Sequence, residues 1–252
     1  MWHVVVPTGG WGPGWVLRSH PEDPSLNHRN KIQLIYCNSF SSVWDYAQAV
    51  EVGGIDWGRV LGRRCPLCEQ ECRFRKIRGY RRRAVELFPV YRDDSVLVMR
   101  FQCRSVMRTF SALPHQLVPY HHYTADSIAW AVWFVAWLNA TGVSGCWDRA
   151  LNHLPPSSNA TAWLLRCWLG VLLRGLRRGH PVLQVWVDLR KVRSGPSVSD
   201  HLPELATYLG ALGIRAPPAG PVVAIWLERF GASQRRFLLG IPSQHRPVRP
   251  PA

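Results

Sequence analysis

Acidic side chains are scarce in this sequence. Asp and Glu number 16 against 31 Lys and Arg in 252 residues, a formal net charge of +15. Such an imbalance leaves the fold open but predicts attraction to polyanions and binding that weakens with salt, with nucleic acid the expected polyanion. Long apolar runs are lacking too. The most apolar segment, 128–138, falls well short of the roughly 20 residues a bilayer requires. It is expected to be a buried helix, and no membrane partner is expected. The opening Met-Trp-His-Val-Val-Val-Pro has neither the basic region nor the apolar length of a secretory leader. With an odd set of seven cysteines that includes a C-x-x-C pair, this points to a reducing, cytoplasmic and nucleoid-associated setting. Converging carboxylates are missing as well. Asp188 ends an apolar run, but only Asp200, Glu204 and Glu228 follow it, too few residues and too few acids for a two-metal nuclease core. No Ser-His-Asp or Cys-His arrangement stands out, so no catalytic residue is assigned. The early glycines have no Lys-Ser/Thr pair after them and no strand-to-helix frame, which removes a phosphate loop.

What the chain does have is concentrated in 63–122. Cys65-Pro-Leu-Cys68 is the tight knuckle that supplies half the ligands of a tetrahedral metal site, and further thiols follow at Cys72 and Cys103. Between them, seven of the eleven residues from Arg73 to Arg83 are Arg or Lys and none is acidic. Segments 84–91 and 96–103 read as two strands joined by the polar turn Arg92-Asp93-Asp94-Ser95. A knuckle, a hairpin and a Cys at the far strand end form the layout of a zinc ribbon. The second knuckle would begin at Cys103, but its partner position is Val106. Either Cys72, His115, His121 or His122 supplies the fourth ligand, or the ribbon is a metal-free one held by its apolar hairpin. The candidate zinc set is Cys65, Cys68, Cys72 and Cys103. Cys37, Cys146 and Cys167 read as core thiols.

On either side the organisation is simpler. Residues 1–30 are expected to be a flexible tail and 31–62 a strand and helix, the helix starting at Ser42 with Asp45 in capping-box position. Beyond 123 the pattern turns helical: one helix from Thr124 to about Leu138, a second over 144–153, and a third over about 158–178 stopped by Gly179-His180-Pro181. Two helices, a turn and a longer helix match a helix-turn-helix, whose last helix enters the major groove. Ser158, Asn159, Thr161 and Arg166 would meet base edges, and Arg174, Arg177 and Arg178 phosphate. The ribbon would grip the backbone through Arg73, Arg75, Lys76, Arg78, Arg81, Arg82 and Arg83. Residues 181–240 read as a mixed α/β region, with a strand at 182–187 and a helix at 202–212, and 241–252 as a Pro-rich basic tail. The fold class expected is α+β.

The segment Arg108-Thr-Phe-Ser-Ala-Leu-Pro114, after the Cys65/Cys68 knuckle and the strand ending in Cys103, resembles the zinc-ribbon modules that open bacterial insertion-sequence transposases. It is more similar still to an uncharacterised bacterial, mobile-element-associated family that joins such a ribbon to a helix-turn-helix. The resemblance spans about 32–178 and departs from that pattern at Val106. It implies a duplex-DNA-binding protein of transposase-like origin, with a second copy or a transposition-machinery protein as possible partners. Two other readings compete with it. Phe74 and Tyr80, interleaved with arginines, suit stacking on RNA or single-stranded bases, and the many tryptophans suit a protein-interaction scaffold.

Overall fold

The computed structural model describes residues 33–37, 40–62, 64–65, 67–68, 70–71, 74–190, 198–213, 226, 229–230, 233 and 238–239. The tails expected at 1–30 and 241–252 lie outside the described residues, as do Cys72 and Arg73. The architecture is α+β. A four-stranded sheet comes first, made of β1 (Gln33–Cys37), β2 (Phe74–Glu86), β3 (Arg92–Cys103) and β4 (Thr109–Pro114), in the order β1-β4-β3-β2. β1 pairs parallel to β4 and the other pairings are antiparallel. Two short helices, α1 (Val43–Val52) and α2 (Trp57–Leu61), sit between β1 and β2 in the chain. A helical half follows: α3 (Ala125–Ala140), α4 (Cys146–Asn152), α5 (Ala162–Leu183) and α6 (Val198–Ala211).

The helix starts follow their local chemistry. The Ser42 hydroxyl accepts from the Asp45 N–H at 3.0 Å, and Thr124 caps α3 through the Ser127 N–H. Gly53 ends α1 with φ +77°, the left-handed conformation that favours glycine.

The hairpin is longer than its sequence suggests. Its basic run lies inside β2 rather than ahead of it, and the chain reverses at 87–91, not at Arg92–Ser95. Those polar residues belong to β3, where Asp94 pairs with Ala84 and Ser95 with Arg83. Pro89, which cannot donate to a ladder, sits in the reversal. A bulge displaces the register between Ile77 and Tyr80, and Gly79 lies there. A Cβ on Gly79 would stand 2.5 Å from the Val98 carbonyl oxygen, so the close approach of β3 requires glycine.

α1 is wedged where β3 and β4 part. Their pairing ends at Met99 and Ala112. There the buried Tyr46 hydroxyl accepts from the Met99 N–H at 3.1 Å and donates to the Ala112 carbonyl at 3.3 Å. Val43 packs with Val96, Val98 and Leu113, while Tyr46 and Val50 pack with Met99, Phe101 and Phe110. One helix thus serves two small cores, on the two sides of the fork.

The helical half shares a single large core. It runs from Val85, Leu87 and Val118 of the sheet half through α3, α5 and α6 to Leu238 and Leu239. Backbone bonds stitch the junction: Val85 N–H donates to the His122 carbonyl and Thr124 N–H to the Val85 carbonyl. The Ser127 hydroxyl also accepts from the Leu87 N–H. The module boundaries expected at 122 and 180 therefore cross continuous structure. α5 runs through Gly179-His180-Pro181 to Leu183, because packing outweighs the local stop signal: a Cβ on Gly179 would meet Leu238 at 2.5 Å. The strand expected at 182–187 is correspondingly absent, since that stretch finishes α5 and then turns. Among the described residues, 181–240 contributes helix and no strand. Pro203, expected in the first turn of its helix, lies inside α6 because that helix begins earlier, at Val198.

The helix-turn-helix expectation meets a different geometry. Residues 153–161, including a 3-10 turn at Pro156–Ser158, separate α4 from α5. A helix-turn-helix joins its helices by about 3–4 residues. α5 also buries ten positions from Leu165 to Leu183, leaving a narrow exposed stripe.

Candidate metal centre and nucleic-acid interface

Three thiols meet at one end of the hairpin. The Sγ atoms of Cys65, Cys68 and Cys103 all lie within 4.8 Å of one another, in a group positioned to hold a metal ion. The Cys68 and Cys103 sulfurs are 3.7 Å apart. Cys65 and Cys103 are buried and Cys68 is half-buried. The knuckle is built by local hydrogen bonds: Leu67 N–H donates to Cys65 Sγ at 3.4 Å, and Cys65 N–H donates to the Gln70 carbonyl at 2.9 Å. An N–H aimed at a sulfur favours the thiolate, the form a metal requires. Cys103 ends β3 on the side of Phe74, Phe101 and Phe110, whose rings pack 5.5–5.8 Å apart, so it is held by an apolar core. His115, His121 and His122 are not part of the thiol group. Val106, at the second-knuckle position, is exposed on the β3–β4 turn.

The cations divide along the hairpin. From Phe74 to Arg81 and from Val96 to Arg108 there is no acidic residue; the hairpin's carboxylates, Glu86, Asp93 and Asp94, all lie at the far end. At that far end the arginines are engaged. Arg83 forms a two-point ion pair with Asp93, donating from Nε at 2.8 Å and from Nη2. Arg82 is half-buried and donates to the Val118 and His121 carbonyls. Burial lowers its affinity for a proton, though a guanidinium stays charged. Arg81 Nη1 donates to the Ser95 hydroxyl at 3.2 Å and to the Ser95 carbonyl. Towards the thiols the picture reverses. Lys76 and Arg78 are exposed, with no side-chain partner among the described residues, and Arg75 is exposed with, among the described residues, only its Nε engaged. Arg104 and Arg108, on the turn beside Cys103, are exposed too. Sequence reading missed these two. Their signal was the absence of acids through 96–108.

Several expected contacts are engaged within the protein. Arg82 and Arg83 are committed as described. Ser158 is buried and its hydroxyl accepts from the Ala160 N–H, so it cannot meet a base edge. Arg177 is engaged with Glu204 of α6, whose carboxylate is wholly buried, at 2.9 Å from Nε and 2.5 Å from Nη2. On the α5 side Asn159, Thr161, Arg166, Arg174 and Arg178 are exposed, with the Arg166 guanidinium 5.0 Å from the Trp147 ring centre. Tyr80 packs with Ala84, Val98 and Leu113, and Phe74 against Phe101 and Phe110, so both rings proposed for base stacking are held in cores. Of the described tryptophans only Trp137 and Trp163 are exposed. Asp188 pairs with Arg190 and Glu204 with Arg177, which places the two described carboxylates of the nuclease consideration in separate ion pairs.

At the junction of the halves, burial first, then Arg82, Arg174 and His122, push the His121 imidazole below its ordinary pKa. Burial raises Glu86 against the Trp44 indole and Arg92, which lower it.

Fold and site together define an α+β protein with a three-thiol group at the basic end of a β-hairpin. Residues 65–136 match a family described as a domain of unknown function (DUF6431). That match opens on the first thiol of the group and ends within α3. No curated protein matches the chain, and no solved structure does. No helix among the described residues is long and apolar enough to cross a membrane.

Proposed function

We propose that this chain is a duplex-DNA-binding protein that grips the phosphate backbone with the thiol end of the β2–β3 hairpin, the thiols holding a structural zinc ion. The observation that carries the reading is the excess of exposed cations at that end: Arg75, Lys76, Arg78, Arg104 and Arg108 surround it, no carboxylate lies on the strands between them, and the described carboxylate of the knuckle is Glu71. A soft, all-thiolate donor set favours zinc, with Cys72 as the fourth donor this reading names. When bound, zinc supplies folding energy rather than chemistry, by tying the knuckle to the end of β3. The residues around it bind and orient: each cation that meets a phosphate releases counterions, which makes affinity steeply salt-dependent. α5 is a secondary contact, through Arg166, Arg174 and Arg178. Single-stranded binding is less favoured because Phe74 and Tyr80 are packed inward. By the resemblance of 32–178, the biological setting is a mobile element.

The test is metal content of the purified protein together with duplex binding across a salt series, with and without chelator. One equivalent of zinc, and binding that falls steeply with salt and collapses on chelation, is the expected result. Salt-insensitive or absent duplex binding removes the reading, and equal binding with and without chelator removes the role given to the metal.

A further inference from the structure

We propose, building on the duplex-binding reading, that Arg75 reads base identity at the O6/N7 edge of guanine in the major groove, and that Gln102 is the positioning residue that aims it. Arg75 and Gln102 are cross-strand partners, one residue along from the Phe74–Cys103 pair. Because side chains alternate, they project from the sheet face opposite the one that packs Phe74, Phe101 and Phe110. Arg75 Nε donates to Gln102 Oε1 at 2.9 Å, and Gln102 Nε2 in turn donates to the Met107 carbonyl at 3.2 Å. Met107 is held with φ +54° in the turn after Cys103, which the Cys103 N–H to Arg108 carbonyl bond closes at 2.9 Å. A relay of hydrogen bonds therefore runs from the turn that closes the thiol group to the guanidinium.

Fixing Nε sets the plane of the guanidinium and leaves its two Nη groups pointing outward as a fork. Among the described residues they have no partner. That is the geometry of a two-point contact with paired acceptors, which guanine presents in the major groove and phosphate presents on the backbone. The rest of the hairpin favours guanine. Lys76, Arg78, Arg104 and Arg108 are exposed, carry no such brace and suffice for phosphate, which tolerates many approaches. Arg81, Arg82 and Arg83 each have one Nη group engaged by the protein itself. Among the described arginines of the hairpin, Arg75 alone is braced at Nε with both Nη groups open.

The experiment uses the full chain loaded with zinc and three short duplexes: alternating dG·dC, alternating dA·dT, and the dG·dC duplex with 7-deazaguanine, which lacks N7. Arg75→Lys keeps the charge and loses the fork. It should weaken binding to the dG·dC duplex about tenfold or more while changing dA·dT binding less than about twofold. Gln102→Met should narrow the same preference with metal content unchanged. The 7-deaza duplex should bind wild type more weakly than its parent and bind Arg75→Lys no differently. Equal loss on both duplexes makes Arg75 a phosphate contact and overturns the proposal. No loss on either makes the Arg75–Gln102 pair a strand-to-strand brace only, and also overturns it. Indifference of the wild type to the missing N7 overturns it without recourse to any variant. Failure of the wild type to bind either natural duplex would instead remove the duplex-binding reading itself.

Discussion

At the thiol end of the β2–β3 hairpin the strand cations face solvent with no carboxylate on the strands beside them and Glu71 exposed in the knuckle, whereas on α5 Arg177 closes on a buried carboxylate and Arg166 lies near the Trp147 ring. The two elements look alike in sequence, each a run of arginines broken by apolar residues. They differ in what lies opposite. β2 is an outer strand of the sheet, so its side chains near the thiols meet no neighbour on one side, while α5 is packed by α3, α4 and α6 and can place a guanidinium outward only along a stripe. Cation density alone does not mark an interface; cations without internal partners do.

That contrast is most sharply broken by removing a thiol. On the proposed zinc reading, Cys68→Ser should lose the metal and several kcal/mol of stability, visible as a lower thermal midpoint that chelator no longer shifts. The helical half should be affected less, because its core does not include the thiols. Its own counterpart is Arg177→Met, which leaves the Glu204 carboxylate buried without its ion pair. Breaking a fully buried pair costs about 3–5 kcal/mol. The Arg177 side chain is 38% exposed, so about 2–3 kcal/mol is expected by denaturant unfolding, with duplex affinity little changed. Tyr46→Phe strips the Met99 N–H and the Ala112 carbonyl of their shared partner and should cost about 1–3 kcal/mol, again by denaturant unfolding. For binding, Arg78→Ala should reduce the slope of log affinity against log salt by about 0.9. Arg83→Ala should leave that slope unchanged, since its guanidinium is committed to Asp93. The smallest effect concerns His121. Its folded-state pKa lies below the unfolded value of about 6.5, so the unfolded chain takes up the proton first. Stability should be intact above that value and fall as pH drops below it, and His121→Gln should flatten the decline in thermal midpoint.

The same contrast explains what could be seen without coordinates. Ser42 with Asp45, Thr124, and the Cys65–Cys68 knuckle are local signals, written within four residues, and the structure follows them. The α+β class was legible from the change of period at Tyr123. Which way an arginine points is a tertiary fact. Arg82 and Arg83 read the same as Arg78, yet two are engaged by 118–121 and by Asp93. Asp93-Asp94 carries a strong turn signal and Pro89 a stronger constraint, so the reversal sits earlier than polarity suggests. β4 was hidden for another reason. All of Phe110–Pro114 is buried, so the strand lacks the alternation that marks a one-sided sheet. The end of α5 depends on Phe230 and Leu238, some fifty residues downstream, which no local window contains.

The bulge at Gly79 matters beyond the hairpin. Apart from Val85, the outer edge of β2 pairs with no other strand among the described residues, the kind of edge to which a strand of another molecule can add. At Val85 it is occupied by 122–124 of the same chain. Further along, the irregular register interrupts the donor and acceptor spacing a partner strand would need, and Lys76, Arg78 and Arg81 crowd that edge with like charge. Two copies approaching edge to edge would meet cations against cations across a broken ladder. Self-association through the sheet is thereby discouraged, which on the proposed reading leaves the edge open to strands that carry phosphates in place of amides.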